Sequence, residues 1–139
     1  MAYLYADPLL IEVVKDGKRQ LDDFNKPLEI EQEFDQIVDC LRKTKKKFTV
    51  TKMVATCDNL KSIMAARPQM IHISCHGDCL IKKVGKVERK SYYLAFEEVD
   101  RFCVLDKLTE DRLNKLLGNY EEHGVKVVFV SACHSEMIG

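Results

Sequence analysis

The sequence predicts an α/β domain, a parallel sheet with helices packed on it, and three observations carry that reading. Short apolar runs recur at Ala2 to Tyr5, Phe48 to Val54, Met70 to Ser74 and Val125 to Val130, the last three carrying β-branched residues. Helix-period segments lie between them, long enough for the crossovers that parallel neighbours require. The chain has 139 residues, 46% of them hydrophobic, which suffices for one core and is too short for two, so residues 1–139 read as one domain.

Ala2 to Tyr5 is a short strand ended by Ala6-Asp7-Pro8, where proline removes a ladder donor. Leu9 to Lys26 reads as a surface excursion with a hairpin-type turn at Asp16-Gly17. From Pro27 the apolar residues Ile30, Phe34, Ile37, Val38 and Leu41 follow the helical period, predicting a helix from Pro27 to Thr44. Its early glutamates and late basic residues complement the dipole, and the run Arg42 to Lys47 is its solvated end.

Phe48 to Val54 is the second strand, and Thr56 caps a short helix with Leu60, Ile63 and Met64 that Pro68 closes. Met70 to Ser74 follows as the third strand. Leu80 to Phe96 reads as a hairpin beside the main sheet, and Thr109 to Glu122 as a second amphipathic helix ended by His123-Gly124. The nearly continuous apolar run Val125 to Val130 has the pattern of a central strand buried on both faces.

Charge and targeting exclude more than they suggest. Lys plus Arg and Asp plus Glu both number 22, so neither a nucleic-acid nor an anionic-membrane partner is implied. No run approaches the roughly 18 apolar residues of a membrane span, and MAYLYADPLL lacks a signal peptide's basic start. The chain reads as soluble and cytoplasmic. Its six cysteines are scattered through apolar segments, a usage that fits free thiols in a reducing compartment.

Two strings carry chemistry: Ile71-His72-Ile73-Ser74-Cys75-His76-Gly77-Asp78-Cys79 and Val127-Val128-Phe129-Val130-Ser131-Ala132-Cys133-His134-Ser135-Glu136. Reactive groups in open parallel sheets gather outside the carboxyl ends of the strands. His76 and Cys133 therefore come together although far apart in sequence. An imidazole can take the thiol proton and return it to a leaving amine. Backbone N–H groups of Gly77 and Cys133 can hold the oxyanion, an effect worth roughly 3–4 kcal/mol in hydrolases.

A His-Gly after one apolar strand and an Ala-Cys after the next resemble the caspase-like cysteine peptidases, and within them the CHAT domain. Ala6-Asp7-Pro8-Leu9 after the first strand and Glu33 in the first helix add to the likeness. A histidine about 50 residues upstream of the cysteine is the caspase order, although the caspase string around the cysteine is absent. The resemblance implies a three-layer α/β/α sandwich with a mainly parallel sheet. It also implies a cysteine endopeptidase with His76 as general base and acid, Cys133 as nucleophile, and Gly77 with Cys133 as oxyanion donors. No cofactor is implied. The partners implied are a protein or peptide substrate, together with tetratricopeptide-repeat or nucleotide-binding regulatory modules of a larger protein. The chain ends shortly after Cys133, so the sequence reads as the N-terminal part of that fold, truncated after the cysteine strand.

Two other readings stand beside it. One is a non-catalytic signalling or scaffold module. The other is a zinc site from Cys75, Cys79, Cys133 and His134, disfavoured because neighbouring Cys and His side chains rarely face one ion. Cys75, Cys40, Cys57 and Cys103 are assigned to packing, as is His72, and His134 is expected to point away from Cys133.

Overall fold

The computed structural model describes residues 1–24, 26–84, 87–118 and 123–133. Its centre is a four-stranded parallel sheet of β1 (Ala2–Tyr5), β4 (Thr51–Val54), β5 (Met70–Ser74) and β9 (Val127–Ser131), in the order β4-β1-β5-β9. Each strand pairs in parallel with its neighbour, as the helix-linked runs predict. Helix α1 (Ile30–Lys43) covers one face, where Phe34 packs on Tyr3 with ring centroids 5.0 Å apart. Helices α2 (Cys57–Ala65) and α3 (Glu110–Leu117) cover the other, so the domain has three layers. The main core lies on that second side, where Leu4, Ile71 and Ile73 meet Leu60, Ile63, Met64 and Leu113.

The alternation of β5 explains this division. Ile71, Ile73 and Cys75 enter the main core, while His72 and Ser74 face α1. Thr56 caps α2 by accepting the Asn59 N–H at 3.1 Å, as expected of a β-region threonine before a helix. Leu60 is fully buried in the resulting unit. Leu60→Ala is expected to cost about 2–5 kcal/mol through lost transfer energy and the cavity left behind. Urea unfolding checks it, and a loss under 1 kcal/mol would mean that the helix repacks freely.

The remaining elements gather at the carboxyl end of the sheet. Strands β2 (Leu10–Lys15) and β3 (Lys18–Asp23) form a hairpin turned at Asp16-Gly17, both with positive φ, as the turn signal suggests. Strands β6 (Gly77–Val84), β7 (Val87–Glu97) and β8 (Leu105–Thr109) form an antiparallel meander. The expected Leu80 to Phe96 hairpin is therefore part of a longer unit that begins at Gly77. Its third strand carries little sequence signal because Leu105 to Thr109 alternates only weakly and runs directly into α3 (Glu110–Leu117).

One strand position and three boundaries differ from expectation. Val127 to Ser131 is an edge strand instead of a central one: Val127, Val128 and Phe129 are 47%, 37% and 54% exposed. Among the described residues no strand pairs with its outer edge, and α1 lies over β1 and β5. Pro27 precedes α1 instead of opening it, because the Leu28 N–H is held by Asp7 Oδ2 at 3.0 Å. The second strand begins only at Thr51. Helix α3 ends at Leu117, with Gly118 at positive φ as its cap; residues 119–122 of the expected helix lie outside the described ones.

Candidate active site

Strand register places the two sequence-predicted residues together. Ser74 on β5 pairs with Ser131 on β9, so His76 and Cys133 each lie two residues beyond a paired position, on the side facing α1. Both line one open cleft of about 440 Å³, bounded by Glu29 and Ile30 at the start of α1 and floored by Glu33 and Ser131. Gly77 is backed against the same turn. A Cβ built there would overlap the Cys133 carbonyl oxygen and lie 3.0 Å from its carbonyl carbon and 3.4 Å from the Ala132 Cβ. Only glycine lets the two strand ends close to this distance.

His76 looks away from solvent, its side chain 14% exposed. Its Nε2 lies 3.3 Å from Asp7 Oδ1, an ion-pair distance without the alignment of a hydrogen bond. The Phe24 ring meets the imidazole edge-on at 6.0 Å. The Cys133 residue is exposed, whereas Cys75 is buried in the core, which pushes its thiol up to about 12. The two cysteines beside the cleft therefore differ in kind: Cys75 is a protonated core residue, and Cys133 is open to a reactant.

A half-buried carboxylate knits the cleft floor together. Glu33 of α1 accepts hydrogen bonds from the Ser74 hydroxyl, from Tyr3 Oη at 3.3 Å, and from His72 Nε2 at 3.1 Å, with Ser131 as a further donor. Burial pushes its carboxyl up, but the bonds from Ser74, Ser131 and His72 outweigh this and hold it below the usual carboxylate range. Burial, with added repulsion from the Glu33 charge, raises the Tyr3 phenol to about 12 against the Ser74 bond that lowers it. One side chain thus ties α1 to β1, β5 and β9 immediately below His76 and Cys133.

The family model of the CHAT domain matches residues 17–138. The chain belongs to the CHAT-domain family. The matched span holds His76, Gly77 and Cys133, and Asp7 lies ahead of it. The parallel sheet with helices on both faces agrees with the caspase-like fold expected of a CHAT domain. No curated protein and no solved structure matches the chain. No described helix is long and apolar enough to cross a membrane.

Other sequence expectations fare differently in this CHAT domain. The zinc set is not assembled: Cys75 enters the core on the face opposite Cys133, Cys79 sits within β6 opposite Tyr92, and His134 lies outside the described residues. Among the described residues no group of three or more His, Cys, Asp or Glu could hold a metal ion. His72 is packed as expected, between the rings of Tyr3 and Phe129. Cys40 is exposed on α1 instead of packed, because it falls on the solvent side of the helical stripe. Cys57 is half-buried but polar in its surroundings, with its thiol 3.4 Å from Asp106 Oδ2 and Arg112 close by. Cys103 is also only half-buried.

The sequence assigns no role to Asp7, and marks Glu33 only as one of the glutamates early in α1 and as part of the likeness. Strand order is what supplies the signal for Asp7: Tyr5 pairs with Ser74, so continuing the register by two residues puts Asp7, His76 and Cys133 in one row across three adjacent strands.

Proposed function

We propose that this CHAT domain is a cysteine endopeptidase module acting on a protein or peptide substrate, with Cys133 as nucleophile and His76 as general base and acid. The observation that supports it is the cleft shared by His76 and Cys133 at the carboxyl ends of neighbouring parallel strands, with Gly77 closed against the Cys133 backbone. In this reading His76 takes the thiol proton and the Cys133 sulfur attacks the scissile carbonyl. The proton then passes from His76 to the departing amine, leaving a thioester on Cys133. Water, deprotonated by His76, attacks the thioester, and the thiol is restored as the acid product leaves.

The Gly77 N–H suits an oxyanion donor. Ala95 N–H is given to the His76 carbonyl at 2.9 Å, and ladder alternation then makes Gly77–Leu94 a non-hydrogen-bonded pair. The Gly77 N–H is accordingly turned away from β7.

Thiol alkylation tests the pair without a known substrate. At about pH 6, where an ordinary thiol near its reference value of about 8.5 is almost wholly protonated, iodoacetamide should modify Cys133 at least tenfold faster than Cys40. Cys40 is the fair control because it too is exposed. His76→Ala should erase the difference while leaving the unfolding midpoint nearly unchanged. Equal labelling of Cys133 and Cys40, mapped by mass spectrometry, would remove the catalytic reading and leave a non-catalytic signalling or scaffold module.

A further inference from the structure

We propose that Asp7 is the positioning residue of the His76–Cys133 pair: its carboxylate holds the imidazole at Nε2, presents Nδ1 to the Cys133 thiol, and stabilises the imidazolium formed when that thiol loses its proton. This rests on the reading of His76 and Cys133 given above.

The first support is a pair of buried atoms with no other partner. Asp7 Oδ1 and His76 Nε2 are both shielded from water, neither has a hydrogen bond among the described residues, and they face each other at 3.3 Å. Buried polar atoms are nearly always satisfied, so two orphans at this distance are most simply partners for one proton. With that proton on Nε2, the neutral imidazole keeps Nδ1 as its acceptor, and the partner of one ring nitrogen thereby sets the role of the other.

The second support is the rigidity of the carboxylate. Asp7 Oδ2 accepts the Leu28 N–H at 3.0 Å, and the Asp7 N–H reaches Glu97 Oε1 at 3.4 Å. Pro8 is fully buried, and Leu9 and Leu10 N–H both bond to the Cys103 carbonyl, at 3.0 and 3.1 Å. The segment after β1 is therefore fixed on both sides of Asp7. Phe24, edge-on to the imidazole, limits its rotation out of this position.

The charges around His76 favour the same outcome. Asp7 approaches from the loop after β1, and Glu97 of β7 and Cys103 lie behind it. Glu29 just before α1, Glu33 of α1 and Cys133 after β9 share the cleft, and Cys75 is in the core. The described lining of the cleft contains no lysine or arginine. An imidazolium there shares its cleft with the Glu29 and Glu33 carboxylates and has Asp7 at contact distance.

The test is the rate of Cys133 alkylation by iodoacetamide as a function of pH in the full chain, compared between the parent, Asp7→Asn, Asp7→Glu and His76→Ala. Asparagine keeps an oxygen for the Leu28 amide and loses the charge. Asp7→Asn should slow labelling about tenfold near pH 6, leave the rate near pH 9 unchanged, and so move the rising limb up by about one pH unit. Asp7→Glu should recover part of the loss. A purely structural role would not displace the profile along the pH axis. If the Asp7→Asn profile overlies the parent's while His76→Ala shifts it, Asp7 has no such role and the His76–Cys133 pair survives. If neither variant shifts the profile, the pair itself fails, and this inference with it. A second reading needs no variant: ¹⁵N spectra of the imidazole in the parent should report the Nε2–H tautomer of neutral His76, and the Nδ1–H tautomer would overturn the proposal.

Discussion

Gly77→Ala is expected to destabilise the domain by about 1–3 kcal/mol and to abolish the selective labelling of Cys133. The added methyl group meets backbone, not a side chain that can swing aside: the Cys133 carbonyl oxygen stands where the methyl must go, with the carbonyl carbon 3.0 Å away. Relief requires β5 and β9 to part at the end that carries both site residues. The backbone at Gly77 needs no unusual φ, so the cost is steric, in contrast to Gly17, where φ is +72° and nothing lies within 4 Å. Gly17→Ala is the matching control, with a loss of about 1 kcal/mol from strain alone and normal Cys133 reactivity. Urea unfolding and adduct mapping on both variants decide the matter. An unshifted midpoint and intact labelling in Gly77→Ala would show that the strand ends are not in the contact described.

Replacing Glu33 by alanine is expected to cost about 2–4 kcal/mol, because the hydroxyls of Tyr3, Ser74 and Ser131 and the His72 ring lose a charged acceptor in one step. Glu33→Gln keeps the shape and one oxygen and should cost less. The same pair of variants carries a pH signature. The folded carboxyl is held below its ordinary value, so between the two values the unfolded chain binds more protons than the folded one. The stabilisation is complete above the ordinary carboxylate range, near pH 4.5, and is lost as pH falls through the depressed folded value. Unfolding midpoints of the parent should therefore decline more steeply below about pH 4.5 than those of Glu33→Gln. Parallel declines would mean that the Glu33 bonds contribute equally in both protonation states. The site should suffer with the fold here, since the serines clamped by Glu33 stand two residues before His76 and Cys133.

Much of the architecture was legible because it is written in local periodicity. Alternating or continuous apolar runs marked all four parallel strands, the spacing of Ile30, Phe34 and Ile37 marked α1, and Thr56 marked the start of α2. Asp16-Gly17 turned where such a pair should. The shared position of His76 and Cys133 was legible because both end a strand, and parallel strands bring their carboxyl ends to one side whatever the loops between them do. Boundaries were less legible. Whether Pro27 opens α1 was decided by a hydrogen bond from Leu28 to Asp7, which no window around Pro27 contains.

Residue type and spacing by themselves determined that the chain makes a parallel α/β sheet and that a histidine and a cysteine leave it at the same end. Lateral order decided the rest. A run such as Val127-Val128-Phe129-Val130 has the same composition in the middle of a sheet or at its edge, and only strand order put it at the edge among the described residues. Asp7 became a neighbour of His76 because β1 was inserted beside β5, and Glu33 became the common acceptor for three strands because α1 crosses them at that point. These are contacts between segments distant in sequence, set by which strands lie side by side, and local patterns are blind to them because each segment's periodicity records which of its faces is buried and not what buries it.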